Sequence, residues 1–449
     1  MALVKRIDLR IALREYDCKE CDRKEDPATI KYNNAIFTKA MTTLLQTLSQ
    51  WKPASGEAAE GIELRIKPMS SSDSQHEYPS NPQLPISRPY TESHKQAFRN
   101  RQISSSGACT RMLGSVLQMD SEVWDSIAKV PVVTSFSISC LSYRALAAST
   151  AERLMSCLNR LEEVIYEYWE FIDPAPSATV DRQARADGAK GLLRCLPSSV
   201  RSLTVWRSHL FIQGTDPDLI LKTFPDLSAA ALEASYDRKN VAFSFNIWAD
   251  AFFGGHLRKP DEPDGFGRRR QWKDLERLAL NFDNTIRAHE PAIHDNPKVL
   301  GSFLANVARA IEDMPSLRLM EIWAHSGPHC LIRYEVSDSE TKLTIVAEFD
   351  VELSKAVLKA WRRVADKHTR ASLVWEVKRR GDQEDEGDHE EEGDHEEEGD
   401  HEEEGDHEEE GDHGDESDHE DEGFLDFPLN FMNNLKLGKL IFPTLAELQ

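Results

Sequence analysis

NPKVLGSFLANVARAIEDMPSLRLMEIW, residues 296–323, contains the building unit of this chain: one amphipathic helix followed by one short strand. Asn296 suits the helix cap, and Pro297 suits the first turn. Met314-Pro315 ends the helix, because proline interrupts helical hydrogen bonding and restricts the residue before it. Residues 317–322 then read apolar-x-x-apolar-x-apolar, which is typical of a half-buried strand. The apolar stripe of the helix recurs at spacings of three and four residues: Val299, Leu300, Phe303, Leu304, Val307 and Ile311.

The strand pattern recurs along the chain at residues 161–166, 200–205, 275–280 and 317–322, with a looser copy at 241–245 and another at 432–437. From 161 to 317, successive copies start 39, 41, 34 and 42 residues apart (at 161, 200, 241, 275 and 317). Leucine-rich repeats span ~20–29 residues, so these longer units have room for a full helix. Stacked units bury a continuous core that no single unit could form. The sequence therefore predicts an α/β fold: an irregular leucine-rich-repeat-like solenoid, whose strand–helix units stack into a curved sheet.

The remaining segments divide the chain into five parts. Alternating or helical patterns predict strands at 7–13 and 62–66 around a helix at 30–48, and a hairpin, helix and strand follow between 330 and 377. The predicted parts are strand–helix–strand units at 1–66, a polar flexible loop at 67–107, the leucine-rich-repeat-like array at 108–380, a disordered acidic repeat at 381–423, and a strand unit completing the array at 424–449.

The net charge of −24 comes from one segment. Residues 381–423 hold 27 of the 78 acidic residues and no Lys or Arg, which leaves 51 acidic residues against 54 basic ones elsewhere. A nearly neutral body gives no general electrostatic reason to bind nucleic acid, so no nucleic-acid partner is expected.

Composition also indicates the compartment. The sequence contains no apolar signal core, no run near the ~20 apolar residues of a membrane helix and no Asn-x-Ser/Thr sequon. Its seven scattered cysteines are typical of reduced thiols. We expect an intracellular protein, in the cytoplasm or nucleus, with no membrane partner.

The acidic segment repeats Gly-Asp-His-Glu-Glu-Glu with histidines every six residues from His389 to His419. One interpretation is a metal-binding or pH-sensing tract. The favoured one is a solvated, disordered insertion, because its glycines and like charges oppose a helix and nothing apolar offsets the cost of ordering. Weak association of divalent cations with residues 381–423 remains an alternative function.

Three shorter motifs are weak. Cys18-x-x-Cys21 has zinc-ligand spacing but no second pair, so a polar turn is favoured over a metal or redox site. His289-Glu290-x-x-x-His294 is one residue too long for a zincin motif and contains Pro291. Arg268-Arg269-Arg270 lies in a Gly- and Pro-rich loop, where solvation is favoured over a phosphate or acidic-partner site. With no nucleotide or nucleophile motif either, we predict a non-enzymatic protein without catalytic residues, cofactor or metal site.

The polar positions between the apolar ones of each strand should form the concave surface of the array. Exposed Trp and Arg are favoured binding anchors, but a loop covering each Trp would make it part of the core instead. Both alternatives stay open from sequence alone. The predicted partner-binding residues are Trp206, Trp323, Glu167, Arg277, Glu321 and Glu376.

Several stretches resemble a known family. They are Cys18-x-x-Cys21 and residues 33–40, 70–76, 314–323 and 357–368, and they are similar to filamentous-fungal proteins called domain of unknown function 6546. The resemblance implies a recognition array, in many members preceded by an F-box-like segment that docks to a ubiquitin ligase. This sequence starts beyond that segment and has no Leu-Pro-x-Glu opening. The main hypothesis is thus a scaffold for an unknown protein partner, and the alternative is an F-box-type substrate adaptor whose docking segment is missing.

Overall fold

The computed structural model describes residues 4–379, except 18, 22, 53–60, 74–109, 139–141, 173–175, 212–224, 259–269, 283–296, 325–329 and 370–371. The predicted acidic repeat at 381–423 and the strand unit at 424–449 lie outside the described residues, as does most of the predicted loop at 67–107.

The described residues form one sheet of eleven strands, and the strands lie side by side in the order of the chain. The strands are β1 (Arg6–Ala12), β2 (Ile62–Met69), β3 (Val133–Ile138), β4 (Glu163–Ile172), β5 (Ser202–Phe211), β6 (Asn240–Trp248), β7 (Arg277–Phe282), β8 (Leu319–Ala324), β9 (Cys330–Val336), β10 (Thr341–Ala347) and β11 (Leu373–Arg379). The helices between them are α1 (Pro27–Ser49), α2 (Ala148–Cys157), α3 (Pro176–Arg194), α4 (Pro225–Ser235), α5 (Ala249–Arg258), α6 (Pro297–Ile311) and α7 (Lys355–His368).

Connection length sets the strand directions. Neighbouring strands from β1 to β8 are parallel, as are β10 and β11. Parallel neighbours need a crossover connection, and a helix supplies it in most units. Strand β9 is antiparallel to both β8 and β10. A tight turn joins β9 to β10, in which Ser337 N donates to Glu340 O at 2.9 Å.

The helices pack on one face of the sheet, because the apolar strand positions alternate with polar ones. Phe252 of α5 lies 6.2 Å from Phe243 of β6 between ring centroids. The ring centroid of Trp361 of α7 lies 5.1 Å from that of Tyr334 of β9. A single apolar core runs from Ile11 to Val364 between the helices and the sheet. Each helix also contacts the next one along the chain from α2 to α7.

The mixed α/β class, with strands alternating with helices, is confirmed. Strands β4, β5, β7 and β8 each begin two residues after the start of a predicted strand pattern, and helix α6 ends at Ile311 as its apolar stripe does. The boundary of the polar loop at residue 67 is wrong. Strand β2 continues to Met69, and Ser70, Ser72 and Asp73 are buried beyond it. Asp73 stays inside because it accepts a hydrogen bond from Ser70 N at 2.9 Å.

None of the helices in the described part of the chain is long and apolar enough to cross a membrane.

Candidate functional site

The sheet face opposite the helices, here called the open face, carries rows of side chains that run across the strands. Strand register places one residue from each strand at the amino-terminal end of this face. All eleven are exposed or half-buried. This outer row consists of Arg6, Glu63, Ser135, Glu163, Ser202, Asn240, Arg277, Leu319, Glu335, Lys342 and Val374.

The next row, two residues further along each strand, is buried at its centre. Thr204, Ala242, Ala279 and Glu321 are adjacent across β5 to β8, and each is at most 7% exposed. Three of these four side chains are small. They therefore form a low floor in the middle of the open face.

Larger side chains stand beside this floor. Glu167 is paired in register with Trp206, and Asn281 is paired with Trp323 on one side and with Trp248 on the other; all five are buried. Two strands separate β5 from β8, so the backbones that carry the two tryptophans are about 14 Å apart. We call this set the central trough; its members are Thr204, Ala242, Ala279, Glu321, Glu167, Trp206, Trp248, Asn281 and Trp323.

The six predicted partner-binding residues all lie on the open face, as their alternation in the strands predicts. Arg277 is exposed and Glu376 is half-buried. The other four are buried: Trp206 is 6% exposed, Trp323 and Glu167 are 4% exposed and Glu321 is 0% exposed. Of the two alternatives for the tryptophans, the structure therefore favours the covered one.

Glu321 has the most unusual environment in the trough. Its Oε1 lies 2.9 Å from Arg333 Nη1, and Arg333 Nη2 donates to Glu335 at 2.9 Å. Burial raises the pKa of Glu321 to about 8, and the nearby Arg333 opposes the rise. Arg333 thus lies between one buried carboxyl group and one that is 40% exposed.

Several buried acceptors here lack a hydrogen bond. Neither carboxyl oxygen of Glu321 accepts one, and neither Asn281 Oδ1 nor Thr344 Oγ1 has a partner. Thr344 pairs in register with Arg333, which pairs with Glu321, so the three lie in one row. Buried polar groups are normally satisfied, and an unsatisfied group calls for an explanation. Arg333 Nε, a donor in the same row, likewise has no hydrogen-bond partner among the described residues, so unsatisfied donors and acceptors lie side by side here.

A second polar cluster lies where β1, β2 and β3 end. Tyr16 Oη donates to Asp73 Oδ1 at 3.0 Å, and burial raises the pKa of Asp73 although Arg144 opposes the rise. Arg144 lies 3.1 Å from Glu25 and 3.9 Å from Asp73. These side chains come from segments far apart in sequence, and they join the N-terminal turns to the sheet.

Helix α3 reaches the same edge of the sheet with two buried arginines. Arg185 Nη2 donates to Leu113 O at 2.9 Å, and burial lowers the pKa of Arg185 to about 10. Arg182 pairs with Glu170 of β4, whose other carboxyl oxygen lies 2.9 Å from Arg207 Nε of β5. These contacts hold α3 against two strands, so we assign them a structural role.

Sequence reasoning missed Arg333 and Thr344, because the hairpin strands do not follow the repeated apolar pattern. It also missed the clusters around Arg144 and Glu170. The available signal was a charged residue inside or just after an otherwise apolar strand, as at Glu170. That signal identifies a buried charge without identifying its partner.

The structure describes only part of the three weaker sequence motifs. Cys18 and the segment with His289 and His294 lie outside the described residues, and Cys21 is buried. Arg270 lies over the Tyr236 ring and pairs with Glu233 and Asp237, while Arg268 and Arg269 are not described. Within the described ranges, no three His, Cys, Asp or Glu side chains are placed to hold a metal ion.

Fold and site together define a mixed α/β protein with an open sheet and one polar, partly exposed face. Residues 195–395 match the model of a family of unknown function, DUF6546. The match begins just before β5 and includes the strands that carry Trp206, Arg277, Glu321 and Trp323. No curated protein and no solved structure matches the chain.

Proposed function

We propose that this chain is a non-enzymatic recognition scaffold of leucine-rich-repeat-like build, which binds a protein partner on its open face. One observation carries the proposal. The strands lie in chain order with helices packed on one face, and the outer row lies exposed or half-buried on the other. Arrays of this kind use such extended surfaces for binding.

The charges of the outer row support a polar protein partner. At the two ends, Arg6 pairs with Glu63 at 2.6 Å and Lys342 pairs with Glu376 at 3.0 Å. Arg277 lies between these ends and has no ion-pair partner among the described residues. Interfaces favour arginine as an anchor, so Arg277 is the residue best placed to meet a carboxylate of the partner.

The test is affinity capture of the tagged full chain from its own host, with quantitative mass spectrometry. Arg277→Glu should reduce recovery of the partner about tenfold or more, because it replaces an attractive charge with a repulsive one. Arg362→Glu makes the same charge change at an exposed position on helix α7 and should leave recovery unchanged.

Equal recovery with wild type and both variants would contradict binding through the centre of the outer row. Ubiquitin-ligase scaffold subunits recovered equally with wild type and with Arg277→Glu would favour the adaptor role that the family resemblance implies, because the ligase-docking segment of such adaptors is separate from the array.

A further inference from the structure

Strand β11 is an edge strand of the described sheet. It pairs with β10 over its whole length without a register shift, and no other described strand lies beside it. Its sequence, LVWEVKR at 373–379, contains neither proline nor glycine. An exposed edge strand is a template for pairing with another strand, and proteins often interrupt such edges with proline or a bulge. The backbone of β11 has neither of these interruptions.

The two edges of the sheet differ in the side chains that they expose. At the other edge, in β1, Ile11 is buried, Ile7 and Leu9 are half-buried, and no large apolar side chain is exposed. Strand β11 instead exposes Trp375 at 46% and Val374 at 42%. A tryptophan exposed at an unpaired edge favours contact with another protein surface.

Three apolar side chains line the helix-facing side of β11. Trp375 lies opposite the buried Leu343 of β10, which places it on this side of the sheet. Leu373 and Val377 follow by alternation, and both are only partly buried against the core. We call Leu373, Trp375 and Val377 the edge stripe. An additional strand would cover the edge stripe best if it carried apolar residues at the three facing positions.

The sequence of β11 itself meets this requirement. If two copies pair antiparallel about a two-fold axis at Trp375, this residue lies opposite its own copy, and Leu373 lies opposite the second copy's Val377. An axis at Glu376 would place two carboxylates opposite each other, which is destabilising. An axis at Val377 would place Trp375 opposite Arg379 and leave Leu373 outside the paired strands. Only the axis at Trp375 matches the whole edge stripe with apolar residues.

The charges on the open side of β11 are compatible with this register. Glu376 is paired in its own chain with Lys342 at 3.0 Å and with Lys378 at 3.4 Å. Across the axis at Trp375, Glu376 lies opposite Val374, and Lys378 lies opposite the exposed Ser372. Like charges therefore do not face each other directly in the paired strands.

The acidic residues 381–423 follow directly after β11 in sequence, so the direction of pairing affects charge repulsion. Parallel pairing of two β11 strands would place both copies of Arg379 at the same end. The two-fold axis at Trp375 instead separates them by about 26 Å, at ~3.3 Å per residue. This separation exceeds the Debye length of ~8 Å at physiological salt, so antiparallel pairing limits the repulsion.

We propose that β11 pairs antiparallel with β11 of a second copy of this chain, about a two-fold axis at Trp375, and that the protein is therefore a dimer. The inference does not depend on the proposed recognition function. An axis perpendicular to the sheet would place the open faces of both copies on the same side of one continuous sheet. The paired strands are short compared with the ~800 Å² per partner of a standard interface, so we expect a dissociation constant of about 10 μM.

The experiment is sedimentation velocity of the full chain between about 1 and about 100 μM, on either side of the expected dissociation constant. The mass of wild type should rise from 50.9 kDa towards twice that value. Trp375→Lys and Trp375→Glu should each stay monomeric, because each places like charges opposite each other at the axis. An equimolar mixture of the two variants should dimerise again, since lysine then faces glutamate.

A matched control separates the edge from tryptophan exposure in general. Trp51→Lys replaces another exposed tryptophan, at 39%, just after α1, and this variant should dimerise as wild type does. Dimerisation of the mixture also shows that neither Trp375 variant is misfolded. A mixture that stays monomeric while wild type dimerises would overturn the axis at Trp375.

A wild type that is monomeric at about 100 μM, or a dimer that Trp375→Lys leaves intact, would overturn the inference. If wild type is monomeric and Trp375→Lys loses captured proteins, the edge belongs to a strand of the partner protein. If both are monomeric and capture the same proteins, the edge is left to a segment of the chain itself. Arg277→Glu tests the open face separately from all of these outcomes.

Discussion

At the residue scale, Glu321 makes the stability of this protein depend on pH. Its pKa is about 8 when folded, against 4.5 as the reference value, so the folded state retains a proton that the unfolded chain has already lost between these values. Stability should therefore fall as pH rises from about 4.5 to 8. The full loss is roughly 3–5 kcal/mol, because each unit of pKa difference corresponds to about 1.4 kcal/mol.

Urea unfolding of wild type and Glu321→Gln between pH 5 and 8 measures this effect. Glutamine keeps the shape of the side chain and cannot ionise. The free energy of unfolding of the variant should therefore decrease much less than that of wild type between pH 5 and 8. Parallel pH profiles for the two proteins would show that Glu321 titrates normally.

The burial of Trp206 and Trp323 limits what alanine variants of these residues can show about binding. Trp323 is buried and Trp375 of β11 is 46% exposed, although both lie in strands. Loss of partner binding in an alanine variant of Trp206 or Trp323 would therefore mix recognition with damage to packing, since large-to-small changes at buried positions are strongly destabilising. Exposed Arg277 tests the binding face without this ambiguity.

At the element scale, helix α3 is held by charge as well as by apolar packing. Glu170 lies between Arg182 of α3 and Arg207 of β5, and all three are at most 2% exposed. Glu170→Gln keeps the shape but removes the negative charge from between two buried guanidinium groups. We expect a loss of roughly 3–5 kcal/mol in the free energy of unfolding, as is typical when one member of a buried ion pair is removed.

Thermal and urea unfolding check this expectation, with Asp187→Asn on α3, a carboxylate whose side chain is 43% exposed, as the control. Hydrogen exchange should locate the extra opening in α3 and the adjoining part of β4. If Glu170→Gln lowered the free energy of unfolding by less than about 1 kcal/mol, the contact would be no stronger than a surface ion pair. That result would contradict the inference that Glu170 holds α3 against the sheet.

At the scale of the whole molecule, one apolar core connects all the described units. Cys157 at the end of α2 packs against this core, and Cys330 of β9 is part of it. Repeat arrays unfold cooperatively when neighbouring units are strongly coupled. We therefore expect both thiols to become reactive at the same urea concentration.

Pulsed thiol labelling followed by mass spectrometry of the peptides measures each cysteine separately. A clear difference between the urea midpoints of Cys157 and Cys330 would show that the part of the sheet next to β3 and β4 and the part around β9 unfold as separate units.

The sequence by itself determined the local elements. Apolar spacing placed helix α6 and most strands within a few residues, because helical and strand periodicity depend on near neighbours in the chain. Composition alone also located the charge imbalance in residues 381–423. Strand alternation further assigned all six predicted binding residues to one face of the sheet, and the register confirmed that assignment.

Only the tertiary structure decided which of those residues are accessible. Alternation tells which face a side chain occupies, but burial depends on what surrounds it in space, and so Arg277 is exposed while Trp206, Trp323 and Glu321 are buried. The raised pKa of Glu321 and its contact with Arg333 likewise arise only when β8 and β9 pair. Periodicity is a local property of the chain, whereas solvent exposure and electrostatics are set by residues distant in sequence.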